Sequence, residues 1–86
     1  MMSVVMYSKQ YCPFCVMAKR LLDSKGVEFK EISVDNDPVM MKKMMADSGQ
    51  RTVPQIWIGS THVGGYDDLA ALHQQGKLDA LLASAQ

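Results

Sequence analysis

The stretch Cys12-Pro13-Phe14-Cys15 constrains this chain most, because it holds its only two cysteines. Two thiols this close can join in an internal disulfide and part again. The residues before them, Val4-Val5-Met6-Tyr7, read as a short buried strand. The residues after them, to about Lys25, read as a helix. Pro13 fits N1, where its missing N–H and fixed φ suit a helix start, and this leaves Cys12 at the N-cap. A close cysteine pair at a strand-to-helix junction, with a second strand following, is the pattern of a redox-active dithiol. Unpaired N–H groups and the helix dipole favour an anion at Cys12. Cys12 is therefore the expected nucleophile. Cys15, one turn further in and less exposed, is the expected resolving thiol. Lys9, three residues before Cys12, adds positive charge beside it.

The rest of the chain arranges itself around that junction. Ser3–Ser8 is the first strand. Met17, Ala18, Leu21 and Leu22 recur at helical spacing behind Pro13, and Gly26 suits the helix end. Glu28–Val34 alternates and reads as a second strand, which implies a parallel crossover. Asp35-Asn36-Asp37-Pro38 caps a second helix that closes at Gly49. Thr52–Ile58 and Thr61–Val63 flank Gly59-Ser60 as a hairpin. Asp67 is expected to cap a third helix carrying Leu69 and Leu72, and Leu78, Leu81 and Leu82 suggest a short last one. The order is βαβαββα with a terminal helical turn, an α/β sandwich with helices on both faces of the sheet. The 86 residues make one domain, 1–86.

Composition excludes several functions. Nine basic and nine acidic residues cancel, so no basic stripe points to nucleic acid. No apolar run approaches the roughly 20 residues of a membrane span, and the N-terminus has no secretory pattern. Two cysteines without export signals fit a reducing, cytoplasmic setting, where a disulfide is catalytic rather than structural.

Blander readings compete at some positions. Cys12 and Cys15 are half of a zinc site, but the remaining candidates, His62 and His73, lack the H-x₃₋₅-H spacing. Both histidines read as surface or hairpin residues, and no metal is expected. Met40, Met41, Met44 and Met45 read as gap-filling core on one helix. Met40 and Met41 cannot point the same way, so one is expected to be exposed. Trp57, between Ile56 and Ile58, reads as core.

Lys9, Cys12-Pro13-Phe14-Cys15, Thr52-Val53-Pro54 and Gly64-Gly65-Tyr66-Asp67-Asp68-Leu69, in this order and spacing, resemble a glutaredoxin. The resemblance runs from Val4 to Leu82. It implies a thioredoxin fold, with a four-stranded mixed sheet flanked by helices. It implies a glutathione-dependent thiol–disulfide oxidoreductase that reduces protein disulfides and glutathione mixed disulfides. Glutathione is then the reductant and co-substrate. Disulfide-bonded or glutathionylated proteins are the partners, ribonucleotide reductase among the candidates, and the chain acts as a monomer.

The resemblance also implies a binding site. Lys9 and Arg51 meet the glycine-end carboxylate of glutathione. The backbone of Val53, flanked by Thr52 and a cis Pro54, pairs with the cysteinyl segment. Gly65, Tyr66 and Asp67, with the carboxylate of Asp67 or Asp68, hold the γ-glutamyl end. Charges in this order match a ligand with two carboxylates and one ammonium. Phe14 stands where tyrosine is common, Tyr66 where many relatives have cysteine, and Tyr11 where smaller polar residues are frequent. The alternative activity is an iron–sulfur cluster carrier using Cys12 and glutathione, against which Pro13 argues. A thioredoxin served by a reductase is weakened by Lys9 and the 64–68 stretch.

Overall fold

The computed structural model describes residues 4–84. They form β1 (Val4–Ser8), α1 (Pro13–Ser24), β2 (Lys30–Ser33), α2 (Pro38–Ser48), β3 (Gln55–Ile58), β4 (Thr61–Gly64), α3 (Tyr66–Gln74) and α4 (Leu78–Ser84). The expected elements are all present. Ser3, expected to open the first strand, lies outside the described residues. The sheet order is β2-β1-β3-β4. β1 pairs with β2 in parallel and with β3 antiparallel, and β3 and β4 form the hairpin. This is the thioredoxin fold.

Alternation along β1 sends Val4 and Met6 to one face and Val5 and Tyr7 to the other. The first face packs against α1, α3 and α4 through Ala18, Leu22, Leu69, Leu78 and Leu82, with Val27, Ile56 and Ile58. The second packs against α2 through Met44, with Tyr7 and Val34 and the half-buried Ile32, Met40, Met41, Met45, Val53 and Trp57.

Local signals set the element ends. Asp37 accepts from the Met40 N–H at 3.1 Å and caps α2, which ends at Gly49 with φ 72°, where a side chain would be strained. β3 is shorter than the expected Thr52–Ile58. Pro54 has no N–H to donate, and the Thr52 carbonyl accepts from the Gln55 side chain rather than from a strand partner. β2 is likewise shorter than Glu28–Val34, its ladder with β1 running from Lys30 to Ser33.

Two expectations are corrected. Asp67 does not cap α3: Gly65 is the N-cap, and Asp68, at the third helical position, reaches back to accept from the Gly65 N–H at 3.1 Å. Met40 and Met41 are both half-buried against the second cluster, since that face is shallow enough for two flexible side chains to lie along it. His62 falls in the hairpin, on β4, half-buried with its ring 4.6 Å from that of Trp57.

Candidate active site

Cys12 is the N-cap of α1 and Pro13 its first residue. No side chain caps the helix start, so its first N–H groups face the region of Cys12. The Cys12 thiol is half-buried, and its Sγ lies 3.8 Å from the Val53 carbonyl oxygen. The Val53–Pro54 peptide bond is cis. The β1–α1 loop and the loop before β3 thus meet at this sulfur.

Cys15 is only 2% exposed. Burial pushes its thiol up to about 12, against the pull of the Lys9 backbone N–H, and the neighbouring Cys12 and the Glu31 carboxylate add to the rise. One thiol is presented and the other is held back as a neutral group. That asymmetry is what attack followed by resolution requires.

The expected ring of residues assembles around Cys12 in part. Phe14, 54% exposed, leans toward Tyr66 with ring centroids 6.5 Å apart. This joins the start of α1 to the start of α3. Gly65 backs onto Pro54, where a Cβ would lie 3.6 Å from the Pro54 carbonyl oxygen. Gly64, at φ 113°, leaves room for the Asp68 carboxylate, which a Cβ there would overlap. Cys12 with Val53, Phe14 with Tyr66, and Gly65 with Pro54 are therefore neighbouring pairs that tie the starts of α1 and α3 to the loop before β3.

The charged candidates sit outside those contacts. Arg51, Asp67 and Lys9 are exposed and make no ion pair among the described residues. Lys9 lines a cleft of about 400 Å³ with Lys19, Glu31 and Asp35, and neither cysteine lines it. Tyr11 has φ 58° and is 95% exposed, projecting into solvent ahead of Cys12. Thr52 is exposed as well, and both its oxygens accept from Gln55. The completely buried Gln55 escaped the sequence reading. Its signal was a polar residue where a strand between Pro54 and Ile56 should bury an apolar one.

A thiol at a helix start, with a second buried a turn behind it on this mixed sheet, defines a thiol–disulfide oxidoreductase. The Glutaredoxin family model matches residues 4–63. A glutaredoxin of Pseudomonas aeruginosa is 54% identical over 81 residues, 94% of this chain and 96% of the relative. Glutaredoxin 3 of Escherichia coli is 49% identical over 82 residues, 95% of this chain and 99% of the relative. A buckwheat glutaredoxin solved as a glutathione complex superposes with a TM-score of 0.90 at 33% identity, covering 98% of this chain and 79% of that one. The chain belongs to the glutaredoxin family.

Proposed function

We propose that the chain uses glutathione to reduce glutathione mixed disulfides and protein disulfides, with Cys12 as nucleophile and Cys15 as resolving thiol. The observation that carries this reading is the contrast between the two sulfurs: Cys12 stands at the helix start facing the Val53 carbonyl, and Cys15 is sealed behind it. The similarity to a glutaredoxin held in a glutathione complex supports glutathione as the ligand.

The Cys12 thiolate attacks the glutathione sulfur of a mixed disulfide. A Cys12–glutathione bond forms, the old S–S bond breaks, and the substrate thiolate leaves and takes up a proton. A second glutathione thiolate then attacks the bound glutathione sulfur. Oxidised glutathione departs, and Cys12 regains its thiolate. With a protein disulfide, Cys12 is tethered to the substrate. Cys15 gives up its proton and attacks the Cys12 sulfur at high effective concentration, releasing the reduced protein. Two glutathiones then reduce the Cys12–Cys15 disulfide.

Lys9 and Arg51 take the glycine-end carboxylate in this reading, and the Val53 backbone takes the cysteinyl segment. The γ-glutamyl end falls to Gly65, Tyr66 and Asp67. Asp67 is the better partner for the ammonium, because an Asp68 oxygen is already engaged by the Gly65 N–H. The same reading places the chain in the cytoplasm as a monomer acting on disulfide-bonded and glutathionylated proteins. Among the described residues no helix is long and apolar enough to cross a membrane.

The test is a pair of assays on one preparation, coupled to glutathione reductase, with a glutathionylated peptide and a disulfide-bonded protein. Cys12→Ser abolishes both activities. Cys15→Ser keeps or raises deglutathionylation and loses most protein-disulfide reduction. Collapse of both activities in Cys15→Ser overturns the assignment.

A further inference from the structure

Burying an amide is unfavourable unless its donors and acceptor are met. Gln55, on the central strand β3, is 0% exposed. Its Nε2 donates its two hydrogens to Gln50 Oε1 and to the Thr52 carbonyl, each at 3.0 Å, with Thr52 Oγ1 sharing the second at 3.3 Å. Its Oε1 lies 2.8 Å from His62 Nε2. The Thr52 carbonyl can only accept, so the amide nitrogen must face it and the amide oxygen must face His62. His62 Nε2 therefore carries the proton and donates. The ring that makes this bond rests on Trp57, with centroids 4.6 Å apart. On the other side, the Gln50 N–H donates to Ser48 Oγ at 3.0 Å, and that hydroxyl donates to the Gln50 carbonyl at 3.1 Å.

These bonds fasten both flanks of Arg51 and reach the residue before Val53. The fastened segment holds Arg51, Thr52, Val53 and Pro54, four residues of the glutathione site, and it brings the Val53 carbonyl to Cys12. We propose that Gln55 and His62 are positioning residues that hold the 50–54 segment in its ligand-binding form. The inference rests on the glutathione reading above. Neither side chain touches the reacting sulfur, so each acts on ligand binding through the segment.

Three variants separate the parts of the network. Gln55→Leu keeps the bulk and removes every bond. His62→Phe keeps a ring over Trp57 and removes the donor. His62→Gln keeps a donor where Nε2 lies. In the coupled assay with a glutathionylated peptide, KM rises about tenfold in Gln55→Leu and about threefold in His62→Phe, and stays within about twofold in His62→Gln. In all three the change in kcat stays smaller than the change in KM, because neither side chain touches the reacting sulfur.

A second arm needs no substrate. NMR order parameters at residues 50–53 fall from a rigid value of about 0.85 toward about 0.6 in Gln55→Leu and His62→Phe, and recover in His62→Gln. Unchanged order in His62→Phe overturns the proposal, and so does lost order with an unchanged KM. Should Gln55→Leu not fold, the two His62 variants decide alone. If the parent protein shows no glutathione-dependent turnover, the glutathione reading has failed, and the order parameters still decide whether these residues hold the segment.

Discussion

The two faces of the sheet are built from different materials. The face under α1, α3 and α4 centres on ten buried, mainly aliphatic residues, with Leu21, Phe29, Val63, Tyr66, Leu72 and Leu81 half-buried around them. The face under α2 buries only Tyr7, Val34 and Met44, and completes itself with half-buried methionines and Trp57. Branched and aliphatic side chains fix one arrangement, whereas methionines adapt to what lies beside them. The active site draws on both faces. The helix starts of α1 and α3 come from the rigid side. The segment that presents Val53 leaves α2 on the adaptable side, and there the buried Gln55 network substitutes for aliphatic packing. Precise placement of a loop over a soft core needs directional bonds.

The contrast can be broken by deletion. Leu22 and Met44 are each completely buried. Leu22→Ala is expected to cost about 4 kcal/mol and Met44→Ala about 2 kcal/mol, the difference reflecting how far each face can collapse into the space. Urea unfolding measures both, and a larger loss at Met44 would reverse the ranking.

The next effect is alkaline. The folded-state Cys15 thiol is raised from 9.0 to about 12. Its contribution to stability is therefore complete below pH 9 and is lost as pH rises toward 12. Cys15→Ala should flatten that alkaline decline, as followed by circular dichroism at a series of pH values.

Smaller again are Met40→Leu and Met41→Leu, each costing less than about 1.5 kcal/mol because volume is conserved on an adaptable face. Thermal unfolding of the double variant sharpens the comparison, since a large non-additive loss would show that this face is as closely fitted as the other.

The smallest effect belongs to Glu31 on β2, outside both clusters. Partial burial is the largest single influence on its carboxyl and pushes it up, but hydrogen bonds from Lys19 and Ser8 and the lysine charge outweigh it and hold the group below its ordinary range. The Lys19 and Ser8 contacts are 2.8 Å and 2.7 Å. A depressed carboxyl stabilises the fold above its unfolded value, and that stability is lost as pH falls through the folded value. The side chain is 35% exposed, so Glu31→Gln should remove only a few tenths of a kcal/mol of acid-side dependence, read from urea midpoints between neutral and acid pH.

The fold was legible where sequence chemistry and local geometry coincide. Pro13 after Cys12, and Pro38 after Asp37, mark helix starts because proline and a capping residue each suit one position only. The start of α3 was misplaced by two residues because Asp67 and Asp68 both resemble caps. The capping there comes from Asp68 reaching back to a glycine, which depends on which residue turns first. In the site, Cys12 and Cys15 were readable from spacing. Phe14, Val53 and Tyr66 came from resemblance, and the contacts of Val53 with Cys12 and of Phe14 with Tyr66 are products of the tertiary fold. Gln55 and His62 were not readable as a pair, because the bond between them depends on the register of β3 against β4, which sequence periodicity does not supply.

β1 lies between β2 and β3 in the sheet, although β3 follows it only after α1, β2 and α2. During synthesis the cysteine pair is therefore made early, while one edge of its own supporting strand is still bare. The residues that will face the nucleophile, Val53 and Pro54, emerge immediately before the strand that covers that edge. A nascent chain halted at Ser48 would hold both thiols with an open β1 edge and no Val53 carbonyl. Emergence of the next ten residues, through Ile58, supplies the missing strand and the missing wall together. The order of translation thus delays assembly of the reactive site until the sheet that supports it can close.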